Sequence, residues 1–149
     1  MNERVWASSE RGQELVEFAL ILPLLLLFLF GIIEFGIAVY RYNAIANIGR
    51  EVARYGSINP DSVHPDPAPI NTHINDEILP RWATAVSIDD LTITPTLTLG
   101  DFINSTVNVT VTYQHQFLTG PIIAVVGSGG ELTMRTVSTM HLERPVTSP

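Results

Sequence analysis

The polar and apolar positions change period twice along the chain. From Phe18 to Ile33 no side chain is charged. Glu34 interrupts, and Phe35 to Tyr40 continue apolar. Together this stretch is long enough to cross a hydrocarbon core of ~30 Å. Beyond it the apolar residues thin to a stripe. Ile45, Ile48, Val52 and Tyr55 recur at spacings of three and four, and Asn43, Asn47, Arg50 and Arg54 fall on the opposite side. That is the pattern of a helix lying with one face against a folded body. One long helix is therefore expected over about residues 13–56, roughly 60 Å long. Its first part, about 18–40, belongs in lipid and its second part in water. Gly56 is placed as a left-handed cap, and Asn59-Pro60 ends any continuation.

The next segment, 57–69, carries Pro60, Pro65, Pro67 and Pro69 and reads as a stiff extended linker. Ile70, Ile74, Ile78 and Trp82 then recur every four residues, which predicts a short second helix that Pro80 must kink or divide. Asp89-Asp90 reads as a turn. From there the period is two. Leu91, Ile93, Leu97 and Leu99 share a face. Val107, Val109, Val111, Tyr113, His115 and Phe117 alternate with Thr106, Asn108, Thr110, Thr112, Gln114 and Gln116. Leu132, Met134, Met140 and Leu142 form a weaker third set. Three strands with one wet face each make an antiparallel sheet, with Pro95 sending the first to an edge or a bulge. Ile122 to Val126 reads as a short buried helix or turn, followed by a flexible Gly127-Ser128-Gly129-Gly130 loop, and 144–149 as a tail. The predicted class is α+β: a long N-terminal helix packed on a small three-stranded antiparallel sheet with a short second helix. The divisions are a polar leader at 1–12, the long helix at 13–56, the linker at 57–69 and a head at 70–149.

Length fits one domain plus one membrane segment, since the chain has 149 residues. There is no cysteine, so the head must hold together by packing alone. Past Gly56 there are nine acids and three arginines, a charge near −6. Such a surface repels nucleic-acid phosphates. Arg4 and Arg11 flank one end of the apolar run and Arg41, Arg50 and Arg54 the other, so counting positive charge does not orient it.

Little here points to catalysis. His64 lies between Asp61 and Asp66, oxygen ligands of a kind that hold calcium, but the segment lacks the ligand density of a calcium loop and reads as a solvated turn. His73, His115 and His141 fall on separate elements, and no carboxylate pair is placed for acid–base work. The Gly127–Gly130 run lacks the spacing of a nucleophile elbow and the Lys-Ser/Thr of a phosphate loop. No enzyme activity, cofactor or metal is expected. Asn104-Ser105-Thr106 and Asn108-Val109-Thr110 satisfy the glycan-acceptor pattern, one that also arises often by chance.

The acids of the apolar run stand out more. A carboxylate in or beside a membrane segment is costly and usually has a partner. Glu17 sits at the start of the run. Glu34 sits deep in it or near its outer boundary, to be paired with an arginine of a neighbour such as Arg41 or left in headgroups. Pro23 removes the amide that would bond the Ala19 carbonyl, so a kink or local melt is expected. Gly31 and Gly36 would let another helix approach closely, or are there because glycine is common in such helices.

The stretch Arg11-Gly12-Gln13-Glu14-Leu15-Val16-Glu17-Phe18, a charged leader, a glycine, four residues, Glu-Phe and an apolar helix, resembles the N-terminal signature of the type IV pilin superfamily. The phenylalanine that follows the glutamate resembles the tight-adherence (Tad) branch. Phe18-Ala19-Leu20-Ile21-Leu22-Pro23, Gly31-Ile32-Ile33-Glu34-Phe35-Gly36 and Arg50-Glu51-Val52-Ala53-Arg54-Tyr55-Gly56 are similar to TadE-like pseudopilins. The resemblance is dense from Arg11 to Gly56 and weak beyond. It implies cleavage by a prepilin peptidase between Gly12 and Gln13, a cytoplasmic leader and an outer head. It implies that Glu17 neutralises the new α-amine of a neighbour's Gln13, with Phe18, Pro23, Gly31, Glu34 and Gly36 packing helices in a Tad-type adhesive filament. The partners it implies are other pilin subunits, the peptidase, an inner-membrane assembly platform and, before assembly, lipid. The alternative is a single-span protein that keeps its leader and whose head binds a partner without polymerising.

Overall fold

The computed structural model describes residues 4–64, 66–100, 105–120 and 130–143, with side chains in the first helix from residue 12 onward. It divides into two units, Met1–Ile37 and Ala38–Pro149. The first helix, α1 (Arg4–Ile58), contributes to both. It begins nine residues before the expected start, inside the segment read as a leader. It also runs unbroken through Pro23. A single missing amide leaves the leucine-rich turns on either side hydrogen-bonded, so the expected local melt does not occur. Within Met1–Ile37 the helix is the entire described structure.

The second unit is an α+β head. After α1 the chain makes a 3-10 turn (Pro60–Ser62), then α2 (Ala68–His73), a π-helical turn (Ile74–Ile78) and α3 (Leu79–Trp82). Three strands follow, β1 (Leu91–Thr98), β2 (Thr106–Gln116) and β3 (Glu131–His141), antiparallel in the order β1-β2-β3. Leu91 pairs with Tyr113 and Thr98 with Thr106; Thr106 pairs with His141 and Gln116 with Glu131. The register puts Val107, Val109, Val111, Tyr113 and His115 on the buried face of the central strand, as the alternation predicts. Pro95 lies in the edge strand β1 opposite Val109, where its missing amide breaks no central ladder. Leu99 and Leu132, assigned to the inner faces, are exposed. Leu99 lies past the end of β1 and Leu132 near the start of β3, beyond the reach of the core.

The core joins Ala44, Ile45, Ile48, Val52 and Ala53 of α1 to the inner face of β2, to Met134 of β3, and to Ile70, Ile74, Ile78 and Leu79 of the helical segment. Between Met134 and Met140 the inner positions of β3 are the small Thr136 and Ser138, because α1 passes close there. A Cβ at Gly49 would lie 3.0 Å from Ser138 Oγ and 3.3 Å from Val111 Cγ2. On the wet face Thr139 Oγ1 donates to Asn108 Oδ1 at 2.7 Å, and Asn108 Nδ2 donates to Thr98 Oγ1 at 3.1 Å. This polar lattice ties all three strands together.

Two expectations about the region after the long helix are corrected. Gly56 is not a left-handed cap. The helix continues to Ile58, and a Cβ at Gly56 would stand 3.1 Å from Val107 Cγ1 and 3.2 Å from Val63 Cγ2. Close approach, not backbone handedness, calls for glycine there. The helix ends where Pro60 offers no amide, and its last carbonyls are taken by Ser57 Oγ (to Arg54 O, 2.9 Å) and Asn59 Nδ2 (to Tyr55 O, 3.2 Å). The segment 57–69 is not extended either. Pro60 opens the 3-10 turn, Pro69 sits in the first turn of α2, and Ser62 and Val63 are buried. A proline fixes φ for the first turn of a helix as readily as for an extended chain. Pro80 is accommodated by the π turn before it, where the Leu79 amide reaches the Ile74 carbonyl. The extra residue widens the helix ahead of the proline ring. The 122–126 patch, most of the glycine loop after it and the 144–149 tail lie outside the described residues.

The register makes one prediction at this level. Val109 is fully buried and Thr110 half-buried on the wet face. Val109→Ala is expected to cost about 1–3 kcal/mol, and Thr110→Ala a few tenths. Thermal melts of the full chain in detergent, followed by near-UV circular dichroism, read the difference; equal shifts would contradict the register.

Candidate functional site

Gly12 to Ile33 present every side chain to the outside, and only at Glu34 does a residue of this stretch become buried. Leu15, Leu20, Leu24, Phe28 and Phe35 are each at least 60 % exposed. A face this large and apolar is not left in water. It has the length and composition to cross a membrane, and among the described residues nothing buries its most apolar part. Ile21, Leu24, Leu25 and Phe28 recur at spacings of three and four and, with Leu27, border an open apolar hollow of about 500 Å³. Such a stripe can receive the side chains of another helix.

The residues singled out from the sequence fall along this helix. Glu17 and Phe18 are exposed on it, and no basic group pairs with Glu17 among the described residues. Gly12 and Gln13 lie inside the regular helix, one turn before Glu17. A Cβ added at Gly12, Gly31 or Gly36 would meet nothing within 4 Å. Nothing in the chain's own packing calls for glycine at these three positions. Glu34 is only 7 % exposed, between exposed Ile33 and Phe35. Arg41, considered as its counterpart in a neighbour, is engaged by His115, its Nη1 donating to His115 Nδ1 at 2.7 Å. A guanidinium only donates, so Nδ1 is the acceptor and the ring proton sits on Nε2. The same guanidinium lies 5.9 Å from the centre of the Tyr113 ring.

Asn104 lies outside the described residues. Asn108 is near the start of the central strand, and its Nδ2, the atom a glycan would join, already donates to Thr98 Oγ1 and Thr106 Oγ1. Asp66 is used locally, its Oδ1 accepting the Ala68 amide at 2.9 Å. Among the described residues no three potential metal ligands gather. His73 stacks on Tyr55, with ring centres 3.7 Å apart, and its Nδ1 lies 3.5 Å from Glu77 Oε2.

A second arrangement, in the head, is not visible in the sequence pattern. Glu51, on the wet side of α1, binds Arg81 Nη1 through Oε1 and Trp82 Nε1 through Oε2 (3.4 Å). Arg81 Nε also donates to the Glu77 carbonyl at 2.8 Å. Arg50 donates to Asn47 Oδ1. These groups border a groove of about 760 Å³ between α1, the helical segment and Met140 of β3.

Residues 12–54 match the model of the family described as TadE-like protein. The match begins at Gly12 and ends at Arg54, so it takes in the whole exposed apolar helix and the Arg50-Glu51 pair, and over this segment the chain is similar to that family. It leaves the sheet outside. No curated protein and no solved structure matches the chain.

Proposed function

We propose that the chain is a pilin-like structural subunit that is inserted in the membrane as a precursor, cut after Gly12 and packed through its helix into a Tad-type extracellular filament. The TadE-like match over residues 12–54 makes a role with Tad pilus components the starting point. The observation that carries the rest is the helix itself: an unburied surface from residue 12 to 33, apolar from Phe18 onward, with two carboxylates, Glu14 and Glu17, close to its start, Glu17 directly against the uncharged run. A long apolar helix of this kind suggests a single-pass membrane protein. The Glu17 carboxylate asks for a counter-charge in an apolar layer. Cleavage after Gly12 creates one, the α-amine of Gln13.

A second reading, a single-span protein that keeps its leader and binds a partner through its head, draws on the continuity of α1 from Arg4 through the Gly12–Gln13 junction. A peptidase must unwind that turn to reach the bond, whereas a retained leader stays helical. N-terminal sequencing of the native protein separates the two. The first reading expects Gln13 at the mature terminus and the second expects the leader. In the same cells Gly12→Val, which puts a branched side chain before the cut, is expected to leave the chain heavier by the leader; identical intact masses would remove the processing step from the proposal.

A further inference from the structure

The groove in the head bears a charge opposite to that of its surroundings. Arg50 and Arg54, one turn apart on α1, and Arg81 on α3 all line it, against the single carboxylate of Glu51. The chain past Gly56 is near −6. Arg81 is neutralised by Glu51, and among the described residues no carboxylate pairs with Arg50 or Arg54. The groove therefore keeps two uncompensated cations inside an acidic domain.

Two of the three basic groups, Arg50 and Arg81, are also held in place. Glu51 fixes Arg81 while being fixed by Trp82, the Glu77 carbonyl holds Arg81 from the other side, and Asn47 holds Arg50. A guanidinium whose rotamer is already set loses less entropy when it forms a paired hydrogen bond to a carboxylate. Beside the cations the wall is apolar and aromatic, from Tyr55, Trp82 and Met140. Tyr55 is itself braced by its stack on His73.

We infer that this groove is a docking site for a short acidic peptide segment of a partner protein, one that places carboxylates on Arg50 and Arg54 and an apolar side chain against Trp82 and Met140. Charge complementarity selects this class of partner. A long polyanion or an anionic lipid surface extends over more than one Debye length, about 10 Å, and would meet the acidic remainder of the head. A short segment meets only the groove. The inference does not depend on cleavage or on polymerisation.

The test uses the full chain in neutral detergent micelles and a fluorescein-labelled peptide of four glutamates around one leucine, read by anisotropy. Saturable binding is expected, weakening about tenfold in Arg50→Gln/Arg54→Gln and again as salt rises from about 0.05 M to about 0.2 M. Both arginines are exposed, so the fold should survive; the single variant Arg54→Glu, expected to weaken binding as strongly, repeats the test with one change. Glu51→Gln, which removes the lining carboxylate and leaves every cation in place, should not weaken binding as the double variant does. The inference is overturned by no binding of the peptide up to about 1 mM. It is also overturned by equal binding to wild type and the double variant. Phosphatidylglycerol vesicles supply the competing arm: association that is stronger than the peptide's and lost in the same variants would assign the groove to lipid instead.

Discussion

Glu17→Gln protein is expected to be processed and held in the membrane but missing from filaments. Under the proposed function Glu17 sits in the apolar layer where helices meet, and its counter-charge is the α-amine of a neighbour's Gln13. The exposure of Glu17 directly against the uncharged run that starts at Phe18 fits this, because the chain supplies no basic group for it among the described residues. Before cleavage Gln13 is peptide-bonded and has no amine, so one charge pair would couple processing to assembly. Removing the carboxylate leaves the amine buried and unpaired, a loss of about 3–5 kcal/mol per subunit contact in a dry site. Glutamine keeps the shape and a hydrogen-bonding oxygen, so the variant isolates the charge. Immunoblots of the sheared-filament and membrane fractions read the outcome. Wild-type filament yield from Glu17→Gln cells would mean that the carboxylate merely reaches to the membrane surface. Retention of the leader in those cells would transfer its role to peptidase recognition.

The second large effect concerns the head. Gly49→Leu is expected to destabilise it by about 3 kcal/mol, the upper range for overpacking a close-packed interior. At that turn α1 comes so near β3 that even a Cβ would stand 3.0 Å from Ser138 Oγ. A methyl group alone has an ambiguous outcome, since Ser138 can rotate away and alanine regains helix propensity of about 1 kcal/mol. Leucine leaves no such escape, because Val111 Cγ2 closes the other side. Gly31→Leu and Gly36→Leu serve as internal comparison, since a Cβ there meets nothing within 4 Å among the described residues. Near-UV melts in detergent should show a large drop for Gly49→Leu and no change for the other two. A drop of similar size at Gly31 would place that glycine in the core and contradict the structure.

What was legible in the sequence was whatever is local and repeats. The apolar run, the stripe of Ile45, Ile48 and Val52, and the alternation of β2 are one-dimensional signals, and each came out on the predicted face. The misreadings share a different cause. Glycine serves both a left-handed backbone and close approach, and nothing around Gly56 distinguishes the two; Val107 and Val63 decide, and both are distant or in the next turn of chain. Proline likewise suits an extended linker or the first turn of a helix, so Pro60 and Pro69 were read as the former. The groove was hidden because Arg50 and Arg54 look like an ordinary wet stripe until Arg81 and Trp82 are brought beside Glu51. His115 looked like one of four scattered histidines because its partner, Arg41, lies 74 positions away.

The long helix has a consequence for how such a protein can be altered by recombination. Ala44, Ile45, Ile48, Val52 and Ala53, which form one wall of the head's core, belong to the same unbroken helix as the apolar segment. A cut anywhere between residues 45 and 58 would take part of the core away with the apolar segment. A head exchanged at the end of α1 would therefore lack one wall of its core. New heads must be grafted together with their own stretch of helix, joined in register within a continuous run of backbone hydrogen bonds, and a graft displaced by one residue turns the buried stripe by about 100° away from the sheet. Variation in this architecture is expected to accumulate in the strands and their loops, while the helical wall and the small residues facing it, Gly49 and Ser138, change only as a set.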